Sequence, residues 1–258
     1  MSDAPQFGTS DVTVDSRKTV TPEESKDQRD RGWELVLALL ATHGLHGVTD
    51  LNLVSEPMRL QMLDELIEET SAGLVSATSD LIEHRTSLRA WLLRFRDILI
   101  PALAAATMLL IKRNYIESEL LEAWVSETNL QNGYLYRFFS EIRDGDQVLN
   151  TSAIGRTDLY ARAIWAVAWR VYVSSLVSQE NKGDPWCGLS VLGVADHCKG
   201  CLSEAAKGWQ LLKDVKPIGS RDCGSRCACT LKTMTFSQIG GRLGTRGELD
   251  SGGQGDPG

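Results

Sequence analysis

The chain has 258 residues, of which 42% are hydrophobic, 24% charged and 7% aromatic. That composition suits one large soluble domain, or one domain plus an appended module, and excludes collagen-like, wholly disordered and membrane-embedded classes. A net charge of −7 argues against a protein whose main task is coating nucleic acid, which needs clustered Lys and Arg.

Residues 1–20 are polar and aperiodic and read as a loose arm. They lack a basic start followed by an apolar block, so no secretory signal is expected. The apolar stretch Ile98 to Ile111 is broken by Pro101 and Thr107 and falls short of the roughly 20 residues a membrane helix needs. It reads as a buried helix kinked at Pro101. A reducing cytoplasm is therefore expected, where thiols stay reduced or bind metal.

Residues 21–180 are helical in pattern. Thr21-Pro22-Glu23-Glu24 supplies an N-cap hydroxyl, a proline at the first helical position and a glutamate three residues after the cap. The helix it opens runs through Trp33, Val36, Leu37 and Leu40 to a stop near His43-Gly44. A second helix starts near Ser55, with Leu60, Leu63 and Ile67 on one stripe. A third spans roughly Ser87 to Asn114.

A fourth, from about Leu120 to Arg143, places Tyr134, Leu135, Phe138, Phe139 and Ile142 on one face. The fifth, roughly Ala153 to Ser178, carries Tyr160, Ile164, Val167 and Val171, with Trp165, Trp169 and Tyr172 widening the stripe. It is expected to sit centrally. Aromatics at this spacing read as core rather than as a ligand pocket. No hairpin dipeptide joins two alternating segments, so β-signals are weak.

The charge is unevenly spread. Residues 1–180 hold 17 Lys and Arg against 26 Asp and Glu, whereas residues 181–258 hold 10 against 8. An acidic body repels DNA; the C-terminal part does not. The expected fold class is mainly α, an elongated helical body with a small C-terminal cysteine-rich, zinc-knuckle-like module over 181–236. A Gly-rich flexible tail is expected over 237–258.

All six cysteines lie in that module. Cys198 and Cys201 form a C-x-x-C knuckle, a spacing at which one tight turn presents two thiolates to a single ion. Cys223, Cys227 and Cys229 follow as C-x-x-x-C-x-C, so five thiols and His197 compete for four places around a structural Zn2+. The preferred sets are Cys198, Cys201, Cys227 and Cys229, or the same with Cys223 replacing one of the last pair. One or two disulfides, or unpaired core thiols, are the alternatives. Cys187, beside Trp186, reads as a small buried hydrophobe.

No H-E-x-x-H, G-x-S-x-G or Walker loop occurs. Cys223-Gly224-Ser225 lacks the residues that follow a cysteine-protease nucleophile. His43 and His46 bracket a helix end, where a histidine favours the macrodipole, and Glu65, Glu68 and Glu69 read as a solvated acidic face. Five candidate thiols suggest a closed, structural site rather than a catalytic zinc with an open position. No enzyme is expected.

Two stretches together resemble a known family. One is Asn132 to Trp165, an aromatic helix, a polar turn and then Ile154-x-Arg156-x-x-x-Tyr160-Ala161; the other is the cysteine segment from Asp196 to Leu231. Their order and separation resemble the minor head, or head-morphogenesis, proteins of tailed bacteriophages, the group that includes the Mu F-like minor capsid proteins. Members end in a C-x-x-C, a glycine, a proline-containing loop and a final C-x-C followed by an apolar residue. Cys198, Cys201, Gly208, Pro217, Cys227, Cys229 and Leu231 stand at those positions. Many relatives carry a histidine shortly before the last C-x-C, where this chain has Cys223.

The resemblance implies a structural minor head protein, present in few copies near the portal vertex and acting in capsid assembly. Its implied partners are the portal and major capsid proteins, with weak DNA contact during packaging or ejection. No membrane or small-molecule partner is implied. Its implied location is the host cytoplasm during assembly, then the virion head. The residues themselves also support a second reading, a zinc-stabilised nucleic-acid-binding or regulatory protein. In that reading Arg221, Arg226 and Lys232 supply charge and Trp209 stacks on a base.

Overall fold

The computed structural model describes residues 19–178, 183–192, 198–216 and 229–244. It is mainly helical with a small sheet, and divides into two compact units between Val171 and Tyr172. The division falls inside the fifth helix.

The helical unit begins with α1, Pro22–Thr42, and its capping box forms as the sequence indicates. Thr21 Oγ1 accepts from the Glu24 N–H at 3.2 Å, and the Glu24 carboxylate accepts from the Thr21 N–H at 3.2 Å. Helix α2 is Glu56–Ile82, α3 Leu88–Ile111, α4 Ser118–Arg143 and α5 Thr151–Ser178. Ser87 caps α3 through its side chain, whereas Ser55 makes no such bond for α2.

The centre of this unit is α3 rather than α5. From Leu99 to Leu110 every residue of α3 is buried. Helices α1 and α2 each pack along it and scarcely touch one another. The proline within this stretch creates a specific demand. Pro101 has no N–H to donate to the carbonyl of Asp97, one turn earlier. Arg31 on α1 fills the gap: its Nη2 donates to the Asp97 carbonyl at 3.0 Å, and its Nη1 lies 3.4 Å from the Asp97 carboxylate.

Helix α1 crosses α3 at backbone contact. A Cβ placed on Gly32 would stand 2.7 Å from the Ala104 Cβ and 2.9 Å from the Pro101 carbonyl. Only glycine fits there, because the neighbouring atoms are backbone or a side chain with no rotamer to change.

Two stripes differ from the sequence expectation. On α2 the buried line runs through Met62, Leu63, Leu66, Thr70, Leu74, Ala77, Thr78 and Leu81, leaving Leu60 and Ile67 half-buried. On α4, Leu135, Phe138, Phe139 and Ile142 are buried as expected, but Tyr134 is 46% exposed. The buried face of α4 continues instead through Trp124, Thr128, Gln131 and Asn132. On α5, Tyr160, Ile164, Val167 and Val171 are buried, and Trp165 and Trp169 are half-buried, meeting edge to face at 5.7 Å.

One set of buried polar groups in this core is paired across three helices. Trp91 Nε1 donates to Thr78 Oγ1 at 3.1 Å, and Thr78 and Thr157 hydroxyls lie 3.1 Å apart, joining α3, α2 and α5. Both threonines are fully buried.

The second unit contains β1, Trp186–Val191; α6, Lys199–Ala206; β2, Gln210–Leu211; and β3, Thr230–Thr235. The strands form an antiparallel sheet in the order β2-β1-β3, with Cys187 opposite both Leu211 and Met234. Each face of β1 is covered. On one, Cys187 packs with Trp209 and Ile239, against Leu189, Leu211, Met234 and Phe236. On the other, a Cβ at Gly188 would meet Val215 at 2.9 Å, Leu212 at 3.0 Å and Leu231 at 3.3 Å.

The first part of the expected flexible tail takes part in this packing. Ile239 is buried, and the Gly244 N–H donates to the Trp209 carbonyl at 2.8 Å. Residues 245–258, like the arm over 1–18, lie outside the described residues.

Candidate metal centre

The C-x-x-C pair is built by the first turn of α6. Cys198 is the N-cap, with extended backbone angles of φ −68° and ψ 160°. Its Sγ accepts from the Cys201 N–H at 3.3 Å, the same role a serine or aspartate oxygen plays at a helix start. Cys198 is half-buried and Cys201 is buried.

Cys229 is also buried and stands immediately before β3. Cys223, Cys227 and His197 lie outside the described residues, as do Pro217, Arg221 and Arg226. Among the described residues, no group of three or more His, Cys, Asp or Glu side chains is placed to hold a metal ion. Cys198 and Cys201 share the first turn of α6, and no third such side chain joins them among those residues.

Cys187 behaves as the small hydrophobe its setting suggested. It is fully buried, and its Sγ lies 3.8 Å from the Pro185 carbonyl. Trp209 is 4% exposed and closes the same cluster, so its ring is not offered to a base. Lys232 is exposed on β3.

One residue of this unit escaped sequence reasoning. Glu204 on α6 is 2% exposed and accepts three hydrogen bonds: from Lys207 Nζ at 2.7 Å, the Lys216 N–H at 3.0 Å and Gln210 Nε2 at 3.1 Å. Burial pushes its pKa up, but the Lys207, Lys216 and Gln210 donors outweigh this and hold the carboxyl below its ordinary value. Glu204 thus ties α6 to β2 and to the turn after it. The spacing Glu204-x-x-Lys207 was the one available signal, and such pairs are common on solvated helices.

The helical stretch that carried the family resemblance has a definite arrangement. Arg156 lies over the Phe138 ring, 4.4 Å from its centroid, and pairs with Glu141. Tyr160 stacks on Phe138 at 6.2 Å and meets Phe95 edge to face at 5.3 Å. Burial pushes the Tyr160 hydroxyl up to about 12, so it remains protonated. These side chains clasp α4 to α5 and form part of the core.

The histidine at the end of α1 has a partner beyond the helix dipole. His43 Nε2 lies 2.9 Å from Glu65 Oε2 on α2. The His43 contact, with a second bond from Gln61, holds the Glu65 carboxyl below its usual value. No helix among the described residues is long and apolar enough to cross a membrane. Comparison with protein-family models, curated proteins and solved structures returned no match to this chain.

Proposed function

We propose that this chain is a structural minor head protein of a tailed phage, acting in capsid assembly near the portal, with a zinc-fastened C-terminal module. The observation that carries the reading is the Cys198–Cys201 turn at the start of α6. It is followed in the order typical of the Mu F-like group by Gly208, Pro217 and the final Cys227-x-Cys229 before Leu231. The helical body, with Arg156 and Tyr160 packed on Phe138, agrees with the helical part of that resemblance.

In this reading a structural Zn2+ is held by Cys198 and Cys201 with two of Cys223, Cys227 and Cys229. The ion supplies a cross-link and folding free energy to a unit with little core of its own. The protein residues perform no bond chemistry. The elongated shape of the body, the portal and capsid contacts and the virion location belong to the same proposal. The nucleic-acid reading is the weaker one, since Trp209 is buried against Cys187 and Ile239.

Two measurements test this. Elemental analysis with native mass spectrometry of the purified chain should return one zinc per chain, and chelation should unfold residues 185–235 while the helices persist. Absence of zinc together with an unchanged near-UV spectrum after chelation removes the metal. Separately, the coding region should neighbour portal and capsid genes, and the protein should be found in purified heads. Its absence from particles, with no head defect on deletion, overturns the assignment.

A further inference from the structure

The helical unit contains a groove that its own side chains leave open. Because α1 and α2 both pack on α3 and scarcely touch each other, a channel of about 490 Å3 lies between them. That size falls in the range of ligand-binding clefts. Its floor is apolar: Leu35 from α1, Leu66 from α2, and Ile98 and Pro101 from α3. Gly73 on α2 widens it, since a Cβ there would meet only Ile98, at 3.6 Å.

The rim is unbalanced in charge. Arg31, Glu34, Glu69 and Asp97 line it. Arg31 is already committed to Asp97, by the carbonyl that Pro101 leaves without a donor and by the carboxylate. Glu34 and Glu69 are exposed and form no ion pair with a cation among the described residues. An apolar trough flanked by two unneutralised carboxylates, one from α1 and one from α2, selects a ligand with an apolar centre and positive edges.

We infer that this groove docks a short polypeptide segment of a partner protein, one presenting apolar side chains flanked by Lys or Arg. The apolar side chains enter over Leu35, Leu66 and Ile98, and the cations meet Glu34 and Glu69 on either wall. The Arg31–Asp97 pair stays in place, since it completes the backbone hydrogen bonding of α3. This inference goes beyond the proposed function and does not depend on the cysteine module.

The test uses the full chain with labelled Leu and Ile methyl groups, followed by NMR. The probe is the capped peptide Lys-Leu-Lys-Leu-Leu-Lys, with a counterpart in which Glu replaces each Lys. The basic peptide should give saturable, salt-sensitive shifts at Leu35, Leu66 and Ile98, and the acidic one none. The double substitution Glu34→Gln with Glu69→Gln should weaken binding roughly five- to tenfold. Gly73→Leu, which fills the trough, should abolish it. If Gly73→Leu does not fold, the double carboxylate variant still decides the matter.

Equal shifts with the acidic peptide, no shifts at millimolar basic peptide, or no weakening in the carboxylate variant would each overturn the inference. So would shifts of the same methyl groups on simple dilution of the peptide-free chain, which would assign the groove to a second copy.

Discussion

The two units solve the same packing problem with very different means. In the helical unit α3 is buried all round over Leu99–Leu110, and large rings such as Trp91, Phe95 and Phe138 share one continuous core. Among its described residues, the second unit spreads a three-stranded sheet between two thin layers, each a handful of side chains. A small core has little reserve, so each of its contacts carries a larger share of stability. Equivalent damage should therefore have unequal consequences.

Truncating one ring in each unit gives the widest separation. Phe138→Ala and Trp209→Ala should each cost about 3–5 kcal/mol. The helical unit should survive with a lowered urea midpoint, whereas the sheet unit should lose its hydrogen-exchange protection altogether. Protection persisting at β1 and β3 in Trp209→Ala would show that the sheet has support beyond the cluster around Cys187.

Next come the two crowded glycines. Gly32→Ala drives a methyl into Ala104 and the Pro101 carbonyl, and Gly188→Ala drives one into Val215 and Leu212. Each should destabilise its unit by about 1–3 kcal/mol, read from denaturant unfolding. Gly188→Ala should be the milder of the two, because two flexible side chains rather than backbone must yield.

Glu204 sharpens the comparison by pH. Its carboxyl titrates below the ordinary value in the folded unit, so the contribution is present above the unfolded value of 4.5 and is lost as pH falls through the lowered folded value. Glu204→Gln should cost about 1–3 kcal/mol at neutral pH. It should also flatten the acid limb of sheet-unit unfolding while leaving that of the helical unit unchanged.

The smallest effect should have the opposite sign. Gly73→Ala adds a methyl at ordinary contact distance from Ile98 and removes a glycine from a helix interior. It should stabilise the helical unit by about 0.5–1 kcal/mol. A loss of thermal midpoint would mean that the groove wall is tighter than its geometry indicates.

Helices were legible because their signals are local. The capping box of Thr21 and Glu24 forms where the sequence places it, and the five long helices fall within a few residues of expectation. Their orientation was less legible. The buried face of α4 passes through Gln131 and Asn132, which no apolar pattern marks, and so turns Tyr134 outward. The buried role of Glu204 was not legible, because the Lys216 N–H that satisfies it arrives from a separate turn.

From sequence alone came the chain's helical character and the Thr21 capping box, since each depends on backbone preferences and contacts within a few residues. Tertiary structure decided that α3 and not α5 is the centre, and that Arg31 serves the carbonyl Pro101 cannot. It also paired the distant segments Trp186–Val191 and Thr230–Thr235 as strands. Such outcomes depend on which surfaces meet in space, and side chains far apart along the chain settle that together.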